Sequence, residues 1–155
     1  MCFSNLFKPK KWEIPSPSDI VPKDSISIID TNVVIDLTKL NIPFTKSPKI
    51  WIPDIPDTGS MDPNFDSEHN NILIQGADEP NQKILVDWLA EQTEKEFHNI
   101  AVYNNNHLYA IHRVIGVAYD KEGRYFTFKG DNNPTNDPYP VRDFHIQWVS
   151  IGTIF

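Results

Sequence analysis

Leu108-Tyr109-Ala110-Ile111-His112-Arg113-Val114-Ile115-Gly116-Val117-Ala118-Tyr119 is the longest β candidate in the chain. Its β-branched and aromatic residues suit an extended, pleated backbone. Asp120 to Gly123 follows as a turn, and Arg124 to Lys129 returns from it as a second strand. Upstream, Asn99-Ile100-Ala101-Val102-Tyr103 reads as a further strand, joined to the long one by the turn Asn104-Asn105-Asn106. Ile146 to Ile154 alternates as a closing strand. These segments make the chain mainly β.

The rest of the sequence fits that frame. Residues 80–97 form the one convincing helix, in which Ile84, Leu85, Trp88 and Leu89 recur at spacings of three and four to make an apolar stripe. Asp78 or Glu79 with Pro80 gives it a start, with acidic residues near the positive end of the helix dipole. Ile72 to Ile74 is a short strand, reached through the polar loop Asp66 to Asn71, and Lys49 to Ile52 is an extended segment. Ile26 to Ile29 and Val33 to Leu37, separated by Asp30-Thr31-Asn32, read as a hairpin. Residues 1–25, rich in Pro, Ser and Lys, read as an arm, which leaves 26–155 as a single domain. A chain of 155 residues is of the size to bury one real core.

Composition narrows the function classes. The apolar fraction of 39% and charged fraction of 23% are those of a globular protein. A formal net charge of −7 argues against nucleic acid as a partner. Much of that charge is local: no Lys or Arg stands between Lys49 and Lys83, where Asp54, Asp57, Asp62, Asp66, Glu68, Asp78 and Glu79 fall. Such a run reads first as a solvated face. A single cysteine, Cys2, excludes an intramolecular disulfide and a cysteine-based zinc site. His69, His98, His107 and His145 show no pairing at metal-ligand spacing, so neither metal nor cofactor is expected. No apolar run approaches the ~20 residues of a membrane helix, and no signal-peptide core is visible, so a soluble, cytoplasmic chain is favoured.

Three short islands carry the residue types of an activated nucleophile. Thr58-Gly59-Ser60-Met61-Asp62-Pro63 is a tight turn in which a hydroxyl can stand exposed, although any polar turn uses these residues. A free serine needs a base within hydrogen-bond reach. The Ser60 backbone N–H and the Thr58 hydroxyl are candidate oxyanion donors. His112, flanked by Ile111 and Val114, is the candidate base or else a core histidine. Lys129-Gly130-Asp131-Asn132-Asn133-Pro134, with Asp137 beyond it, supplies two candidate orienting carboxylates, Asp131 and Asp137, in what is also a good turn. As a calcium loop it lacks the glycine at the sixth position, where Asn136 stands.

In order and spacing these islands resemble the boxes of type I signal peptidases and their relatives, the superfamily that includes LexA-like self-cleaving repressors. Thr58 to Pro63 is similar to the serine box and His112-Arg113-Val114-Ile115-Gly116 to the second box. Phe128 to Pro134 with Asp137-Pro138 resembles the third box of the archaeal and endoplasmic-reticulum branch, which carries histidine where bacterial enzymes carry lysine. The resemblance runs from about Ile52 to the C-terminus. It implies the signal-peptidase/LexA-like β fold, from which the amphipathic helix over residues 80–97 departs as an insertion, readable as a lid or a partner surface. It implies a serine endopeptidase acting through an acyl-enzyme on protein or peptide, with small side chains before the scissile bond. Ser60 would be the nucleophile, His112 the general base, Asp131 or Asp137 the orienting carboxylate, and Thr58 an oxyanion donor. The membrane helices of signal peptidases have no counterpart, and Glu68-His69-Asn70 and Phe97-His98-Asn99 stand where the family commonly shows Gly-Asp steps.

Two other readings belong beside the endopeptidase. One is a non-catalytic binding or structural module on the same fold. The other is a self-processing regulator, against which residues 1–57 offer neither alanine nor glycine for a small-residue cleavage site.

Overall fold

A computed structural model describes residues 25–29, 32–56, 58–62, 70–105 and 108–154. The expected arm, apart from Ser25, lies outside the described residues, as do Cys2, Asp57, Pro63, Asp66 to His69, His107 and the turn residues Asp30, Thr31 and Asn106. In chain order the elements are β1 (Ile26–Ile29), β2 (Asn32–Ile35), β3 (Lys49–Trp51), β4 (Asn70–Gln75), α1 (Glu79–Glu94), β5 (Ile100–Asn105), β6 (Leu108–Asp120), β7 (Gly123–Lys129), β8 (Val141–Arg142) and β9 (Ile146–Ile154). The protein is mainly β, as its sequence predicts.

β1 and β2 pair with each other as a separate hairpin. The remaining strands form one antiparallel sheet of seven in the order β3-β4-β9-β5-β6-β7-β8. β4 lies next to the β3 edge, yet Asn71, Ile72, Leu73 and Ile74 are all buried, so both of its faces are covered. A continuous apolar run without alternation is what such a strand requires. β2 stops at Ile35, short of the expected Leu37, because the Asp36 carboxylate accepts the Thr38 N–H at 3.1 Å and starts a 3₁₀ turn, Leu37–Leu40.

The helix begins as its sequence requires. The Asp78 carboxylate accepts the Asn81 N–H at 3.1 Å, and Pro80 occupies the first turn, where its missing N–H costs nothing. It ends before the expected Phe97. The N–H of Phe97 bonds to the Gln92 carbonyl at 2.9 Å and that of Glu96 to Thr93 at 3.0 Å, closing the chain over the last turn with Glu96 at φ 66°. An inserted lid would show a partnerless apolar face, and α1 does not. Leu85, Val86, Trp88, Leu89 and Ala90 are buried in one cluster with Ile74, Ala101, Val114, Phe126 and Val149. The lid or partner-surface reading is therefore corrected: α1 is a layer of the core, laid against β6 and β9.

The ladder between β6 and β7 runs from Asp120↔Gly123 down to Arg113↔Lys129. Below Arg113, residues 108–112 of β6 are paired to β5. His112 thus sits one residue past the point where β7 leaves β6, and the chain from Gly130 onward departs into loop beside it. That divergence is what opens space for a site.

Leu89→Ala tests the placing of α1. Leu89 is fully buried, so the truncation is expected to cost about 3 kcal/mol in denaturant unfolding. A cost below about 0.5 kcal/mol, the level of a surface change, would return α1 to the role of an appendage.

Candidate active site

The three islands meet. Ser60 stands in a turn that begins at Gly59, whose φ of +69° is readily adopted by glycine and strained for most other residues. His112 projects from β6. Its Nε2 lies 3.1 Å from Ser60 Oγ, and its Nδ1 lies 2.7 Å from Asp137 Oδ2. The Thr58 hydroxyl is 3.1 Å from Ser60 Oγ. Three segments, separated in sequence by 52 and 25 residues, converge on one imidazole.

The direction of each hydrogen bond follows from Asp137. Its burial would raise the carboxyl pKa, but hydrogen bonds from His112 and Tyr103 outweigh that and hold it below the ordinary carboxylate value. An ionised carboxylate only accepts, so His112 carries its proton on Nδ1 and donates it to Asp137. In the neutral imidazole Nε2 is then the accepting nitrogen, and the Ser60 hydroxyl donates to it. The Thr58 hydroxyl donates to Ser60 Oγ in turn. This is the polarity a serine nucleophile needs: its proton already points at the base that would remove it.

The two candidate orienters separate cleanly. Asp137 faces His112. Asp131 instead receives Arg113 through both oxygens, Nε to Oδ1 at 2.7 Å and Nη2 to Oδ2 at 2.6 Å. Arg113 Nη1 also donates to the His98 carbonyl at 2.8 Å. Successive residues of a strand point to opposite faces, so Arg113 turns away from His112 and takes Asp131 with it. The assignment of Asp131 as a catalytic carboxylate is corrected: it is half of a bidentate ion pair in which both side chains are about 95% buried.

The turn after β7 clamps the serine turn through contacts that the sequence did not announce. Asn132 N–H donates to the Ser60 carbonyl at 3.0 Å, and its side-chain amide donates to the Gly59 carbonyl at 2.8 Å. The Asp131 N–H approaches Met61 Sδ at 3.5 Å. A Cβ on Gly130 would stand 2.6 Å from the Ser60 carbonyl oxygen, so glycine is what permits the approach. The Tyr103 hydroxyl donates to Asp137 Oδ2 at 2.7 Å, and this contact was also missed. The β5–β6 register would have found it. Ala101 lies opposite His112, and Tyr103, two residues along β5, projects on the same face.

An apolar groove of about 680 Å³ lies on the sheet, and none of Ser60, His112 or Asp137 lines it. Trp51, Leu73, Val102 and Trp148 line it, with the Trp51 and Trp148 rings 5.5 Å apart. Ile111, which lines it, precedes His112 in β6 and so points to the opposite face of the sheet, and Pro56, two residues before Thr58, lines it from the segment ahead of the serine turn. Among the described residues, no three His, Cys, Asp or Glu side chains gather as metal ligands. No helix among the described residues is long and apolar enough to cross a membrane. In comparisons with known proteins, no family model, no curated protein and no solved structure matches the chain.

The two aspartates are expected to fail differently. Asp131→Ala strands a buried guanidinium, at a cost of about 3–5 kcal/mol in denaturant unfolding. Asp137→Asn is expected to leave stability within about 1 kcal/mol of the parent and to slow covalent reaction at Ser60 by at least about 10²-fold. The reverse pattern would exchange the two roles.

Proposed function

We propose that this chain is a serine endopeptidase of the Ser-His-Asp type, carried on a signal-peptidase/LexA-like β fold. The observation that supports it most is the unbroken hydrogen-bond line from Ser60 Oγ through both nitrogens of His112 to Asp137, at 3.1 and 2.7 Å. A core histidine needs partners, but it has no need of an exposed serine turn on one side and an ionised carboxylate on the other. The order of the boxes in the sequence supports the same family.

On this reading Ser60 Oγ attacks a peptide carbonyl as its proton passes to His112 Nε2. The carbonyl oxygen becomes an oxyanion, which the Ser60 N–H and the Thr58 hydroxyl would stabilise, at about 3 kcal/mol per donor in comparable sites. Collapse breaks the C–N bond, and the imidazolium returns its proton to the departing amine. Water, deprotonated by the same nitrogen, then releases the acyl group from Ser60. Asp137 holds the tautomer and offsets the transient positive charge on the ring.

The apolar groove supports a polypeptide as the substrate class. Residues 109–111 of β6 and 53–56 ahead of the serine turn both line the groove, which would take apolar side chains of a bound polypeptide. The family resemblance calls for a small side chain immediately before the scissile bond. The groove volume leaves room for bulkier apolar residues farther from it. The same groove also fits a module that holds polypeptide without cutting it.

A peptide library read by mass spectrometry separates the two. Cleavage by the parent protein is expected to fall by at least about 10³-fold in Ser60→Ala and in His112→Ala, each still folded by circular dichroism at the assay temperature. Cutting that survives in either variant would sink the assignment. Retention of peptides without cleavage by the parent protein would favour the binding module.

A further inference from the structure

We infer that Tyr103 is a positioning residue for Asp137, its hydroxyl selecting the carboxylate oxygen and rotamer that orient His112. The consequence for catalysis rests on the serine-peptidase reading, whereas the contact itself stands on geometry. Asp137 belongs to no strand; it lies in the loop between β7 and β8. Such a residue is held only by what it touches. Its N–H donates to the Phe128 carbonyl at 2.8 Å, which fixes the backbone and leaves the carboxylate free to rotate. The second torsion of aspartate is broad, with no deep staggered wells, so one partner on one oxygen does not define it.

Tyr103 supplies the second partner. Its hydroxyl and His112 Nδ1 both lie 2.7 Å from the same oxygen, Oδ2. The phenol is itself rigidly mounted. β5 is an interior strand between β9 and β6, Tyr103 is 6% exposed, and its ring packs on Phe128 with centroids 4.6 Å apart. Phe128 is fully buried and is the residue whose carbonyl holds the Asp137 backbone. One aromatic pair in the core therefore fixes Asp137 at both its main chain and its side chain. Burial and the neighbouring carboxylate push the Tyr103 hydroxyl pKa well above its ordinary value, so it remains a donor. A hydroxyl placed here only to satisfy its own hydrogen bond would matter for stability alone, and that is the alternative to test.

Tyr103→Phe removes a single oxygen. The rate constant for acylation of Ser60 by a fluorophosphonate is expected to fall about tenfold, with the initial affinity for the probe unchanged, the scale of one hydrogen bond to a charged group. In an Asp137→Asn background the same substitution is expected to change that rate less than about twofold, because Tyr103 acts through Asp137. A lowered unfolding midpoint with unchanged acylation would overturn the inference, as would a full tenfold effect in the Asp137→Asn background. The imidazole Nδ1–H resonance of His112 supplies a readout that needs no activity. It is expected to exchange with solvent faster in Tyr103→Phe, and unchanged exchange would overturn the inference. A parent protein whose Ser60 is inert to the probe would defeat the serine reading, and the imidazole resonance would then decide the role of Tyr103 by itself.

Discussion

Everything about this site depends on the His112 imidazole being held by both nitrogens at once. A side chain rooted in a long central strand cannot move to meet its partners, so they must be brought to it. The serine turn arrives from the N-terminal side and is tied down by Asn132, which bonds to the Gly59 and Ser60 carbonyls. Asp137 arrives from the C-terminal side, with its N–H on Phe128 and its carboxylate on Tyr103. Both loops are fastened largely through backbone groups. Gly130, which lets the second loop lie against the first, is thus as much a part of the site as the residues that touch Ser60 Oγ.

The elements that govern this arrangement could be read directly from the residues. β6, β7 and β9 announce themselves by β-branched and aromatic runs between turn signals, and the α1 stripe by its spacings of three and four. β8 is two residues long, too short for any period to register. The end of α1 was misplaced because Glu96, and not a glycine, takes the left-handed position that closes the helix. Its role was misplaced for a different reason. An apolar stripe shows that a helix buries one face, but not whether that face meets the core or a partner.

The division of labour between the aspartates was legible in principle. His112 and Arg113 are adjacent in a strand and so point to opposite faces, and a guanidinium taken out of water requires a carboxylate of its own. Two carboxylates follow, one for each. What the residues alone could not supply was the path of the loop that decides which goes where. Of the acidic run from Asp54 to Glu79, Asp54 and Glu79 are exposed, as a solvated face requires, while Asp78 caps α1 and pairs with Lys46.

The account stands or falls on whether Ser60 is a nucleophile because His112 makes it one. The direct measurement is covalent modification by a serine-directed fluorophosphonate, located by peptide mass spectrometry and timed in the parent protein and in His112→Ala. A single adduct on Ser60 of the parent, formed at least about 10²-fold more slowly without the imidazole, is the predicted result. An adduct that forms equally fast in both proteins, or on another residue, would contradict it.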